Sequence, residues 1–320
     1  MRHGGQILTD QLRQRNVRRV FSVPGESFLA ALDGLYNSGI DNIVCRHEGA
    51  AAMMAEAYGK LTNTPGVAFV TRGPGATNAS AGIHIARQDS TPMVMFVGQI
   101  ARSHRDREAF QEVDYRAMFA PLAKWVAEVD ETARLPEYIE RAFCGAMSGR
   151  PGPVVLALPE DMLSAVADVP DIRIARQIAP DLTSTAQDIL KKLQAARSPL
   201  LIVGGPLWTP SANASLAKFA KAAALPVVTT FRRQDYLDNR HPNFCGDLNV
   251  GLNPTLANRM QQADCILALG TRLGDIATQG YTLLDPIGHA KTLIHVHADP
   301  DELGRVYTPT LAVTASAPAM

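Results

Sequence analysis

The chain has 320 residues, more than one hydrophobic core of about 150 residues holds, so two domains are expected. Its 31 Lys and Arg balance 31 Asp and Glu, leaving no field to draw phosphate backbones or anionic lipid, which argues against nucleic-acid and membrane partners. With 46% hydrophobic and 19% charged residues it is too apolar for disorder, and no apolar run reaches the roughly 18 residues that would span a bilayer.

Met1-Arg2-His3-Gly4-Gly5-Gln6 leads into an amphipathic stretch instead of a signal-peptide core, so the cytoplasm is the expected compartment. From there short β-branched runs alternate with amphipathic stretches. Helices are predicted over 5–15, 27–38, 48–62, 76–89 and 135–148, and strands over 17–23, 41–45, 66–71, 93–97 and 154–157. The strands are apolar almost throughout, as parallel strands covered on both faces are. Prolines and turn residues break the periodicity over 164–180, which sets a first domain at 1–165, a linker at 166–182 and a second domain at 183–320. The pattern then restarts. Helices are expected over 183–196, 212–223 and 255–262, strands over 199–203, 226–230, 265–269 and 292–297, and turns at Gly204-Gly205 and over 270–274. The segment 314–320 looks like the start of a helix, as in a piece of a longer chain. Both halves read as α/β, with doubly wound, mainly parallel sheets.

Cys45, Cys144, Cys245 and Cys265 are widely spaced and read as small buried hydrophobes, with neither disulfide nor zinc spacing. His295 and His297 share one strand face, where a hydrogen-bonding role at the sheet end is expected in preference to metal binding.

Three strand-to-helix junctions bear on chemistry. After 66–71 comes Arg72-Gly73-Pro74-Gly75-Ala76-Thr77-Asn78, where glycines admit close backbone approach and a helix N-terminus offers free N–H groups. It reads as a site for an anion or polar cofactor, or as a plain tight turn. Asn78 stands where a dinucleotide fingerprint would need its third glycine. In Arg46-His47-Glu48-Gly49-Ala50-Ala51 the Glu48 carboxylate ends a buried strand, suited either to proton exchange or simply to the first turn of a helix. Val23-Pro24-Gly25-Glu26 is the third junction. All three belong at the carboxyl edge of the sheet, where open α/β folds bind ligands.

Val20-Phe21-Ser22-Val23-Pro24-Gly25, Arg46-His47-Glu48-Gly49-Ala50-Ala51, Thr71-Arg72-Gly73-Pro74-Gly75-Ala76-Thr77-Asn78, Asp89-Ser90-Thr91-Pro92, Gly98-Gln99 and Ala109-Phe110-Gln111-Glu112 resemble, in order and spacing, the thiamine-diphosphate enzymes of the acetolactate synthase-like group. The likeness covers the whole chain, with 1–165 similar to the pyrimidine-binding domain and 183–320 to the central, Rossmann-like domain. It implies that Glu48 is the catalytic glutamate that hydrogen-bonds the cofactor's aminopyrimidine ring and that Gln111 lies near the reacting centre. It also implies that Pro24, Gly25, Thr71, Pro74 and Asn78 line the pyrimidine pocket. The implied reaction is decarboxylation of a 2-oxo acid such as pyruvate and ligation of the two-carbon unit to a second carbonyl, with thiamine diphosphate and Mg²⁺ as cofactors. A homodimer or tetramer follows, because family sites form between subunits.

Three departures qualify this. Arg72 stands where many synthases have serine, and either pairs with a substrate carboxylate or faces solvent in a salt bridge. The resemblance allows FAD on the central domain at Gly204-Gly205 and Gly270-Thr271-Arg272, but Phe231-Arg232-Arg233-Gln234-Asp235-Tyr236 is not the usual flavin-holding stretch. No Gly-Asp-Gly metal signature occurs, Gly246-Asp247-Leu248 being the nearest, so Mg²⁺ is expected on a missing C-terminal domain and the isolated 320 residues are expected to be inactive. Other thiamine-diphosphate lyases and decarboxylases, and a non-catalytic cofactor- or nucleotide-binding subunit or short form, remain as alternatives.

Overall fold

A computed structural model describes residues 1–172, 180–286 and 291–320. The chain divides into two compact units, Met1–Gln177 and Ile178–Met320.

The first unit is built on six parallel strands in the order Asp41–Val44, Arg19–Ser22, Gly66–Val70, Met93–Gln99, Pro153–Pro159, Trp125–Glu128. Side-chain alternation assigns each residue to a face. Val20, Val67, Phe69, Val94, Phe96 and Leu156 pack under the helices Gly4–Gln14, Leu29–Leu35 and Leu135–Met147. On the opposite face Ala68, Val70, Met95, Val97 and Val155 meet Glu48–Thr62, Pro74–Asp89 and Tyr115–Phe119. Those helices present Ala51, Ala52, Ala55, Ala76, Ala79 and Ala86, small side chains that let backbones approach closely. The rings of Phe69 and Phe96 stack at 4.8 Å on the first face, a geometry that adds to area burial.

The second unit has six parallel strands in the order Phe244–Leu248, Val227–Thr230, Pro199–Val203, Cys265–Leu269, Thr292–His297, Leu311–Thr314. Helices Thr183–Ala195 and Pro210–Ala222 cover one face and Pro254–Gln262 the other. The expected pair of doubly wound parallel sheets is therefore present.

Several local expectations change. The strands Trp125–Glu128, Phe244–Leu248 and Leu311–Thr314 have no counterpart in the sequence reading. All three are edge strands with partly exposed side chains, so they lack the continuous apolar run that marks a central strand. The predicted helix 27–38 is a 3₁₀ turn followed by Leu29–Leu35. Of the stretch read as linker, 173–179 lie outside the described residues. Within it Val166–Ala167 form a short strand antiparallel to Arg2–His3, and Ile172 N–H donates to Gln11 Oε1 at 3.0 Å. Of the four cysteines only Cys265 is buried, while Cys45 is half-buried and Cys144 and Cys245 are exposed. Cys144 lies on helix Leu135–Met147 beside Arg15 and Glu140, where its spacing falls on the charged side. No helix among the described residues is long and apolar enough to cross a membrane.

His295 and His297 do bond at the sheet end. His295 Nε2 lies 2.8 Å from the Thr271 carbonyl, and His297 Nδ1 accepts the Asp299 N–H at 3.0 Å. His295 is 2% exposed and its Nδ1 has no hydrogen-bond partner. Burial holds its pKa below the ordinary 6.5. The unfolded chain thus takes up a proton that the folded unit refuses. His295 contributes stability above its ordinary pKa and loses it as pH falls through the depressed one. The melting temperature of the second unit should fall from about pH 7 to about pH 5, with a shallower fall in His295→Gln; identical slopes by thermal denaturation would remove this contribution.

Candidate active site

The strand order of the first unit reverses between Arg19–Ser22 and Gly66–Val70: the chain leaves the former toward one edge and returns beyond it toward the other. Loops on either side of such a reversal diverge and leave a crevice beyond the carboxyl ends. The Pro24-Gly25 and Thr71–Gly75 loops leave the two strands at this reversal and meet at their base, where Gly25 packs on Thr71. The loop after the neighbouring strand Asp41–Val44 delivers Glu48.

Glu48 opens its helix. His47, extended at φ −153 and ψ 138, caps it by accepting the Gly49 N–H on Nδ1 at 3.0 Å, and the first-turn carboxylate sits at the positive end of the helix dipole. Asn78 lies in the second turn of Pro74–Asp89, which begins with proline, a residue pre-set for the first helical position. The two alanine-lined helices pack side by side, and Asn78 Nδ2 donates to Glu48 Oε2 at 3.0 Å. This bond fixes one carboxylate oxygen. The other, Oε1, faces Gly75, 3.4 Å from where a β-carbon would stand.

Thr71 forms the floor. Its Oγ1 pairs with Ser27 Oγ at 2.8 Å, and the same serine oxygen accepts the Arg72 N–H at 3.2 Å. Gly25 packs directly on Thr71, leaving no room for a side chain. Pro24, Pro74 and Asn78 are exposed, while Glu48, Thr71 and Gln111 are half-buried, so the crevice is open to solvent. Gln111 enters from the loop after Met93–Gln99. It lies against Gly73, with its Cβ 2.7 Å from the position a Gly73 β-carbon would take. Gly73 also has φ +60, which L side chains rarely adopt, so contact and backbone both require glycine there. The structure joins Gln111 to Gly73 and not, by any hydrogen bond, to Glu48 or Asn78.

Ser27, Tyr115 and Glu160 join the site through long-range contacts. Tyr115 is 1% exposed, and its hydroxyl accepts the Gly73 N–H at 2.7 Å; burial pushes its pKa up to about 12, so it stays a phenol. Nothing local marks these residues, because each is defined by a partner 42 to 88 positions away. Arg72 differs from expectation in its burial. Its guanidinium forms the salt bridge of the second expectation, with Glu26 and Glu160, but buried instead of facing solvent.

Residues 2–118 match the family model "Thiamine pyrophosphate enzyme, N-terminal TPP binding domain", and 186–320 match "Thiamine pyrophosphate enzyme, central domain". The chain belongs to the thiamine pyrophosphate enzymes. Within that family it is similar to acetolactate synthases. The mitochondrial acetolactate synthase of Schizosaccharomyces pombe is 34% identical over 97% of this chain and 50% of its own length. The isozyme 3 large subunit of Escherichia coli is 33% identical over 99% and 56%, and the Bacillus subtilis acetolactate synthase 30% over 99% and 55%. The chain spans about half the length of these relatives.

Tyr115→Phe would leave the Gly73 N–H buried without an acceptor, at a cost of about 1–3 kcal/mol. A drop in melting temperature of about 2–4 °C per kcal/mol is expected for a unit of this size; an unshifted melting curve would show that this bond carries no stability.

Proposed function

We propose that this chain supplies the pyrimidine-binding half of an acetolactate synthase-like active site. The observation that carries the proposal is the Glu48 carboxylate, bonded on one oxygen by Asn78 and open on the other at the strand-order reversal. The donor set suits an aminopyrimidine. A carboxylate accepts from a protonated ring nitrogen, and glycine at position 75 lets the Thr71 methyl pack beneath Glu48 Oε1, where a β-carbon would fall 2.7 Å from it. Thiamine diphosphate, when bound, supplies the carbon nucleophile and electron sink for decarboxylating a 2-oxo acid such as pyruvate and passing its two-carbon unit to a second carbonyl.

In this reading Glu48 exchanges a proton with the ring nitrogen, and Asn78 keeps its carboxylate pointed there. Pro24, Gly25, Thr71 and Pro74 shape the wall that orients the ring, and Gln111 offers an amide to the reacting carbonyl. Among the described residues no three His, Cys, Asp or Glu side chains gather into a metal-binding group. As the family resemblance implies, the reading assigns Mg²⁺ and the diphosphate to another part of the assembled enzyme and expects these residues alone to be inactive. FAD remains an option of the resemblance at the Gly204-Gly205 and 270–272 turns, where Gly205 and Gly270 pack so closely that a β-carbon on Gly205 would fall 1.9 Å from the Gly270 carbonyl oxygen. The homodimer or tetramer reading draws on Ile43, Val44, Met53 and Met54. These exposed apolar side chains lie on the edge strand and on the helix that Glu48 begins, a kind of surface that proteins usually cover.

The test is Glu48→Gln in the complete enzyme with thiamine diphosphate, Mg²⁺ and pyruvate. Acetohydroxy acid formation should fall about 10²–10⁴-fold, the worth of one acid–base group, and turnover at the wild-type rate would remove the proton relay. Absence of acetohydroxy acid from the wild-type enzyme, with product from another aldehyde or 2-oxo acid in a substrate panel, would move it to a different lyase or decarboxylase.

A further inference from the structure

Arg72 adjoins Thr71, yet only 10% of its side chain is accessible. Its Nε donates to the Phe110 carbonyl at 3.3 Å, one terminal nitrogen to Glu160 Oε2 at 2.9 Å and the other to Glu26 Oε1 at 2.8 Å. These acceptors follow three different strands, Met93–Gln99, Pro153–Pro159 and Arg19–Ser22, and Arg72 itself follows a fourth, Gly66–Val70. One guanidinium thus ties together four of the six carboxyl ends of the sheet. Its planar, permanently charged fork meets three acceptors in different directions at once, which an ammonium on a flexible stem does not.

The consequence falls on Gln111. The Phe110 carbonyl and the Gln111 nitrogen belong to one peptide plane, so the bond from Nε fixes the plane from which Gln111 departs. Gln111 holds φ +66, a left-handed conformation that side-chain-bearing residues keep only when their surroundings impose it. Beyond it, Gln99 Nε2 donates to the Val113 carbonyl at 2.9 Å. The turn is also closed on itself: the Glu112 carboxylate accepts the N–H groups of Asp106 and Ala109 at 2.8 and 3.0 Å, and Glu112 N–H donates to Ala109 at 2.9 Å. Arg72 and Gln99 fasten that turn on either side of Gln111, and at its start Arg105 pairs with Glu128 and Asp130.

We propose that Arg72 is a positioning residue that holds Gln111 in its left-handed conformation against Gly73 by binding the Phe110 carbonyl, and so sets the amide facing the pyrimidine crevice. The catalytic part of this claim rests on the function proposed above; the structural part does not. Amide hydrogen exchange is compared in the chain itself for wild type, Arg72→Lys and Arg72→Met. Both variants should speed exchange at Ala109 and Glu112 by about tenfold or more while the amides of Met93–Gln99 keep their rates. In the complete enzyme both should lower kcat with the apparent affinity for thiamine diphosphate within about twofold of wild type, the pattern of a lost transition-state contact. Wild-type exchange in Arg72→Met, wild-type behaviour of Arg72→Lys in both measurements, or faster exchange throughout the first unit would each overturn the proposal. If the wild-type enzyme forms no acetohydroxy acid, the reaction assignment fails while the exchange data still decide the role of Arg72.

Discussion

The first unit depends on one topological constraint: its parallel strands run outward in both directions from the pair Arg19–Ser22 and Gly66–Val70. Hydrogen bonding holds that pair together, with Phe21 beside Ala68 and Ser22 beside Phe69, and the chains leaving it touch at Gly25 and Thr71 before running to opposite edges. A gap at the carboxyl edge is the geometric result. Every candidate site residue borders it or one of the loops folded over it. Glu48 arrives from the strand on one side, Gln111 from the strand on the other, and Thr71 sits at the centre on the floor shared with Ser27.

Packing on the sheet converts that gap into chemistry. The alanine-rich helices Glu48–Thr62 and Pro74–Asp89 cover the same face, and their close approach brings an acid at the head of one to an amide in the second turn of the other. Larger residues at Ala51, Ala52 or Ala79 would part the helices before they reached the carboxylate itself. The polar groups beneath are satisfied within the unit: Ser27 serves both Thr71 and the Arg72 backbone, and Tyr115 serves Gly73. A buried network whose members are all paired resists rearrangement, because any alternative leaves a donor or acceptor unmet. Such a network suits a crevice that must keep its shape while open to water.

Legibility from the sequence followed burial and range. The central strands Gly66–Val70, Met93–Gln99 and Pro153–Pro159 are buried at every position, and their unbroken apolar runs mark them without any structure. The edge strands Trp125–Glu128, Phe244–Leu248 and Leu311–Thr314 need fewer apolar residues and left no such mark. At the site, the residues that sit in glycine- and proline-bearing junctions could be named from the sequence, since local backbone demands shape those junctions. The roles of Ser27, Tyr115, Glu160 and the buried Arg72 could not, because sequence spacing carries no trace of a hydrogen bond between strand ends. Arg72 shows the limit well: its charge suggested a substrate carboxylate or a solvent-facing salt bridge, whereas the fold buries it among Glu26, Glu160 and the Phe110 carbonyl.

A crystal structure of the complete enzyme with thiamine diphosphate tests the account most directly. It should show the pyrimidine ring between the Pro24 and Pro74 loops, with a Glu48 oxygen about 2.6–3.2 Å from a ring nitrogen and Asn78 still on the other oxygen. A ring bound elsewhere, or a Glu48 side chain turned into bulk water beside an occupied crevice, would contradict it.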